Sequence, residues 1–138
     1  MKRLVAILLP MLILISCSKN DSPNPITEQS NYLVKNSSSI GKWKLTGLTV
    51  GSVVQKLTTS QSLYVKRYST DLSYSDSDGL VGTWSMPTAN TLVEVYTNFS
   101  SGVSVTQTYK INIISASQLN LTYSVNGTDI TTNYTATN

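Results

Sequence analysis

The chain has 138 residues, no histidine, one cysteine and 12% charged residues, which excludes imidazole-assisted serine or cysteine catalysis, an intramolecular disulfide and a zinc site of nitrogen and sulfur ligands. Its formal charge of +3 includes Lys2 and Arg3, and the remainder is close to neutral, so nucleic acid, which needs clustered basic side chains, is not an expected partner. The basic pairs Lys42 with Lys44 and Lys66 with Arg67 read as solvent-facing strand positions.

Met1-Lys2-Arg3 precedes an apolar run from Leu4 to Ile15, broken only by Pro10. A basic start followed by an apolar stretch of this length predicts a signal peptide over residues 1–16. The run falls short of the roughly 20 apolar residues that cross a bilayer. It ends Leu14-Ile15-Ser16-Cys17, which resembles the lipobox of bacterial lipoproteins. That resemblance implies cleavage before Cys17, a diacylglyceryl group on its thiol and a further acyl chain, such as palmitate, on its amino group. Each buried CH₂ contributes about 0.8 kcal/mol, so two or three chains anchor a protein that one holds only marginally. Membrane attachment in the cell envelope is therefore expected. Ser18 stands where an Asp commonly marks inner-membrane retention, which points to the outer membrane, with the leaflet left open.

Residues 17–39, rich in Ser, Asn and Pro, read as the lipidated cysteine and a flexible tether, with residues 31–34 touching the domain that follows. From residue 40 to residue 138, Val, Ile, Tyr and Thr fill the segments between turns, which is strand composition. Strands are predicted at 42–50, 52–57, 63–69, 80–85 and 91–97, with Asp76-Ser77-Asp78-Gly79 as a turn. A further strand runs through Val103, Val105, Tyr109, Ile111 and Ile113, with Gln107 as the polar intruder on that face. Then Leu119, Leu121, Tyr123 and Val125 alternate with polar residues up to Asn126-Gly127. That dipeptide favours a two-residue type I′ turn, which sets Tyr123 opposite Ile130, Leu121 opposite Thr132 and Leu119 opposite Tyr134. No stretch sustains a 3.6-residue period, so no long helix is expected. About eight short strands in sequence predict an all-β, antiparallel up-and-down meander closed as a small barrel, with a two-sheet sandwich as the alternative. The inward set is expected to include Val93, Val95, Val103, Val105, Tyr109, Ile111, Ile113, Leu119, Leu121, Tyr123, Ile130 and Tyr134.

Gly41-Lys42-Trp43 opens the first strand and Gly82-Thr83-Trp84 repeats the pattern midway. With the lipobox, they make the chain similar to the lipocalin-like lipoproteins of Bacteroidetes-type bacteria. The resemblance implies a barrel whose interior takes a small ligand. Trp43 and Trp84 are first of all structural, since a Trp at one end of a barrel supplies buried area and plugs the floor. Together with Tyr109, Tyr123 and Tyr134 they form the candidate interior binding set, because phenol hydroxyls inside a barrel need partners. A carboxylate pair for glycoside hydrolysis would have to come from Asp71, Asp76, Asp78, Glu94 and Asp129. No catalytic residue, metal site or cofactor is assigned. The expected function is therefore non-enzymatic: an anchored barrel that binds a small apolar or amphipathic ligand or, alternatively, a packed barrel that binds another envelope protein.

Overall fold

The two-residue alternation of side chains gives nine strands among the described residues of the computed structural model, which describes residues 24–34, 40–98 and 101–138. In chain order they are α1 (Pro25–Val34), β1 (Ile40–Val50), β2 (Val53–Gln55), α2 (Thr59–Leu63), β3 (Val65–Ser69), β4 (Ser73–Asp76), β5 (Val81–Thr88), β6 (Thr91–Asn98), β7 (Val103–Ile114), β8 (Gln118–Val125) and β9 (Thr128–Thr137). The predicted signal peptide and Cys17 lie outside the described residues. No helix among the described residues is long and apolar enough to cross a membrane.

Every neighbouring pair is antiparallel, and β1 pairs with β9, from Lys42 opposite Thr137 to Val50 opposite Ile130. That pairing closes β1 and β3 to β9 into an eight-stranded up-and-down barrel, and the sandwich alternative is set aside. β2 folds back as a short hairpin on the last three residues of β1. The β8–β9 hairpin has the register that its turn dipeptide dictates, with Asn126 at φ 50° and Gly127 at φ 78°.

Several elements differ from the sequence reading, each for a physical reason. The segment read as tether contains α1. Asn24 caps it, its Oδ1 accepting from the Ile26 amide at 3.0 Å and its carbonyl from the Glu28 amide at 3.0 Å, with Pro25 in the first helical position. The strand expected at 52–57 is only β2, because Thr58 starts α2 with a reciprocal capping box: Gln61 donates its amide to the Thr58 hydroxyl and accepts the Thr58 amide on its side chain. β4 occupies what read as the approach to a turn, since its only apolar side chain is Tyr74.

The inward face of β6 is reversed. Leu92 and Glu94 are fully buried, Val93 is half-buried and Val95 is exposed, because the Glu94 carboxylate is held inside. In β7 the pairing with β8 shifts between Ile111 and Ile113, and this bulge turns Ile114 toward the core while Ile113 stays exposed. Val103 is exposed as well. Lys66, expected at the surface, is buried.

The core gathers at the end that α1 covers. Leu33 and Val34 join Trp43, Tyr68, Trp84, Leu92 and Leu119 there. The Trp43 indole donates to the Leu33 carbonyl at 2.8 Å, which satisfies one of the acceptors left open at the end of the helix. Gly41 makes this approach possible, since a Cβ there would lie 1.9 Å from the Leu33 oxygen. The turns at 51–52, 77–80 and 126–127, together with α2, form the opposite end of the barrel.

Replacing Gly41 by Ala forces the end of α1 off the barrel. The expected outcome is a loss of about 1–3 kcal/mol in stability, measured by thermal unfolding, with the Trp43 emission shifted toward that of exposed indole. An unchanged midpoint and spectrum would contradict the docking described above.

Candidate functional site

Alternation in β3 turns Lys66 and Tyr68 inward, and alternation in β4 turns Tyr74 and Asp76 inward beside them. Lys66 stands opposite Asp76 in the β3–β4 register. From β6, across the barrel, comes Glu94. Lys66 Nζ donates to both Glu94 carboxylate oxygens at 2.7 Å and to the Tyr109 hydroxyl at 3.0 Å, which uses all three of its N–H bonds. Glu94 accepts in addition from the Tyr68 hydroxyl at 2.5 Å and the Tyr109 hydroxyl at 3.1 Å. The ammonium lies 5.1 Å from the centre of the Tyr74 ring and 4.7 Å from that of Tyr109, within cation–π range.

A second polar group adjoins the first. Asp76 Oδ2 accepts from the Tyr64 hydroxyl at 2.8 Å and the Tyr74 hydroxyl at 3.0 Å. Its Oδ1 accepts from the amides of Asp78 and Leu80 at 3.0 and 2.9 Å, so the expected turn is built on this side chain. The remaining acids lie apart: Asp71 binds Ser73 in the turn after β3, and Asp129 receives the Ser124 hydroxyl beside the β8–β9 turn. Among the described residues no three potential metal ligands converge.

Above these groups a cavity of about 370 Å³ extends toward α2 and the β4–β5 turn. Leu45, Leu48 and Leu80 form its apolar wall, Tyr64, Tyr109, Tyr123 and Tyr134 its aromatic wall, and Lys66, Asp76 and Asp78 its charged part. It meets the surface at Ser60 and Asp78, both exposed. The Tyr123 ring stands edge-on to Tyr109 at 5.4 Å, and its hydroxyl has no hydrogen-bond partner among the described residues.

Of the five residues proposed from sequence, Tyr109, Tyr123 and Tyr134 line this cavity, whereas Trp43 and Trp84 do not. Trp43 is spent on α1. The Trp84 indole donates to the Ser69 carbonyl at 3.0 Å and packs edge-on against Tyr68, and it borders a separate hollow of about 420 Å³ beside Ile26, Leu72 and Met86 of the α1 end. Sequence reasoning missed Tyr64, set Lys66 at the surface, and named Asp76 and Glu94 only within a carboxylate set, not as parts of one interior network. The available signal was parity: Tyr64, Lys66 and Tyr68 share one face, as do Leu92, Glu94 and Tyr96.

Burial dominates the titration of this interior. It raises the phenols of Tyr64, Tyr68, Tyr74, Tyr109 and Tyr134 above their ordinary value of 10.0, and the Glu94 charge adds to the effect at Tyr68, Tyr74, Tyr109 and Tyr134. At Lys66 burial pulls the value down, against Glu94, which pushes it up.

Comparison with protein-family models, with curated proteins and with solved structures gives no match.

Two outcomes are expected. Glu94→Gln strands a buried ammonium and should cost about 3–5 kcal/mol, whereas Lys66→Met combined with Glu94→Leu should recover most of that loss; denaturant unfolding of the two variants beside the unsubstituted chain measures both. Alkali should also unfold the barrel. Five phenols protonated in the folded state contribute stability that is complete below their unfolded value of 10.0 and is lost as the pH rises above it, while Lys66, with its lowered folded value, acts in the opposite sense but is one group against five. The unfolding midpoint should fall steeply above about pH 10, with phenolate absorbance appearing in the same transition.

Proposed function

We propose that the chain is a membrane-anchored lipoprotein whose barrel, lipocalin-like in its closed up-and-down meander, binds a small amphipathic molecule without catalysing its conversion. The observation that carries this reading is the cavity of about 370 Å³, which sits within the size range of small-molecule sites and pairs an apolar wall with a few convergent polar groups. A filled interior would have given the alternating pattern no further use. The anchor rests on the Leu14-Ile15-Ser16-Cys17 match, and the outer membrane remains the proposed location. A second reading, contact with another envelope protein, draws on the apolar side chains exposed around the cavity end, Val50, Val53, Val54, Leu63 and Val125.

The reading is tested in two arms. The full chain in lipid nanodiscs should bind small neutral amphiphiles such as 2-phenylethanol and indole saturably by calorimetry, and Leu48→Trp, which fills the cavity, should weaken them by at least about tenfold. Binding that Leu48→Trp leaves intact, or no binding at all, would remove the ligand-binding role. In the other arm, Cys17→Ala should abolish labelling by radioactive palmitate and release the protein from the membrane fraction; continued labelling would remove the anchor.

A further inference from the structure

We propose that the ligand of this cavity carries a positive charge: an organic ammonium on an apolar or aromatic body, held with its cationic end toward Asp76 and Asp78 and its body against the tyrosine wall. The inference rests on the reading of the cavity as a binding site and adds the sign of the ligand's charge.

The first support is an account of the charges that face the cavity. Lys66 is the only cation among the lining residues, and all three of its N–H bonds are engaged, two by Glu94 and one by Tyr109. Lys66–Glu94 is also the only ion pair among the described residues. Lys66 therefore has no free N–H to offer a ligand, and its charge is balanced by Glu94. Asp76 and Asp78 face the same space and neither forms an ion pair, because Lys66, which stands opposite Asp76, is paired with Glu94. The four donors that hold Asp76 are two phenols and two backbone amides, which orient the carboxylate without neutralising it, and the Asp78 carboxylate is exposed with no partner among the described residues. The lining is net negative. A carboxylate or phosphate ligand would be repelled by two acids and would find no free cation to pair with.

The second support is independent of the acids. Tyrosine rings, whose faces attract cations, line the cavity beside the leucines, with Leu45 flanked by Tyr64 and Tyr134. This protein already holds one ammonium in that way, since Lys66 Nζ sits over both Tyr74 and Tyr109. Tyr123 is half-buried, and its unpartnered hydroxyl is an acceptor available to a second N–H donor. Apolar wall, aromatic faces and uncompensated negative charge together describe a site for an amine, whereas a fatty acid meets only the first of the three.

The test uses three probes of matched body and different head: 2-phenylethylammonium, 2-phenylethanol and 3-phenylpropionate, titrated calorimetrically at neutral pH into the full chain in nanodiscs, with empty nanodiscs as the blank. The ammonium should bind at least about tenfold tighter than the carboxylate, with the alcohol between them, and added salt should narrow the gap. Asp78→Asn should weaken the ammonium by about threefold to fivefold and leave the alcohol unchanged. Asp71→Asn, which removes the same charge at the other end of the barrel, should change neither. Equal binding of all three probes, or tighter binding of the carboxylate, overturns the charge preference and leaves the binding role standing; binding of none overturns both.

Discussion

Glu94 has no exposed surface, and the barrel is arranged around the charge it carries. Moving a carboxylate out of water costs several kcal/mol, which is offset here by Lys66 and by two tyrosine hydroxyls that reach it from β3 and β7. The pair joins β3 to β6, strands that are not hydrogen-bonded neighbours, so it ties opposite walls together through the interior. It also selects a register. The two faces of β6 differ little in apolar content, Leu92 and Tyr96 against Val93 and Val95. A slip of one residue would bury the valines and expel Glu94, and Lys66 would be left as an unpaired cation in the core. Val95 stays outside, and Val93 half so, because the ion pair cannot.

What the sequence made legible divides along the range of the signals. The β8–β9 hairpin could be read to the residue, because Asn126-Gly127 specifies its turn within two positions and the alternation on both sides agrees with it. The closed barrel followed from strand number and turn spacing. The face of β6 could not be read from Leu92 to Asn98 alone, because it depends on Lys66, 28 residues away. The bulge after Ile111 leaves no mark in composition, and it reverses which isoleucine is buried. α1 escaped notice for a different reason. Its Asn24-Pro25 start is a local helix signal, but only two of its side chains, Leu33 and Val34, are buried, so it lacks the long apolar stripe that periodicity detects.

The candidate site shows the same division. Tyr109, Tyr123 and Tyr134 fall on an apolar alternation and were found with it, and all three line the cavity. The charged members were hidden because a Lys or Asp in a strand ordinarily points to water. The two Gly-X-Trp motifs prove to be one device used twice. In each, the Trp indole donates to a backbone carbonyl, of Leu33 or of Ser69, and the Gly leaves room for a carbonyl, the same one of Leu33 at Gly41 and that of Val95 at Gly82, each 1.9 Å from a hypothetical Cβ. Both tryptophans are committed to holding backbone together at the covered end, which leaves the cavity end to the tyrosines.

The seam between β1 and β9 governs the order in which the molecule can be made. Thr46 and the Asn133 carbonyl that receives its hydroxyl are separated by 87 residues, so the seam is the slowest part of the structure to assemble, its loop-closure entropy falling due before any of its contacts exist. During synthesis, β1 waits with one flank bare until the last strand arrives, and a chain interrupted earlier keeps two sticky flanks that recruit strands from other molecules. The final ten residues of sheet act as a latch, and a nick there opens both flanks of the seam to other chains.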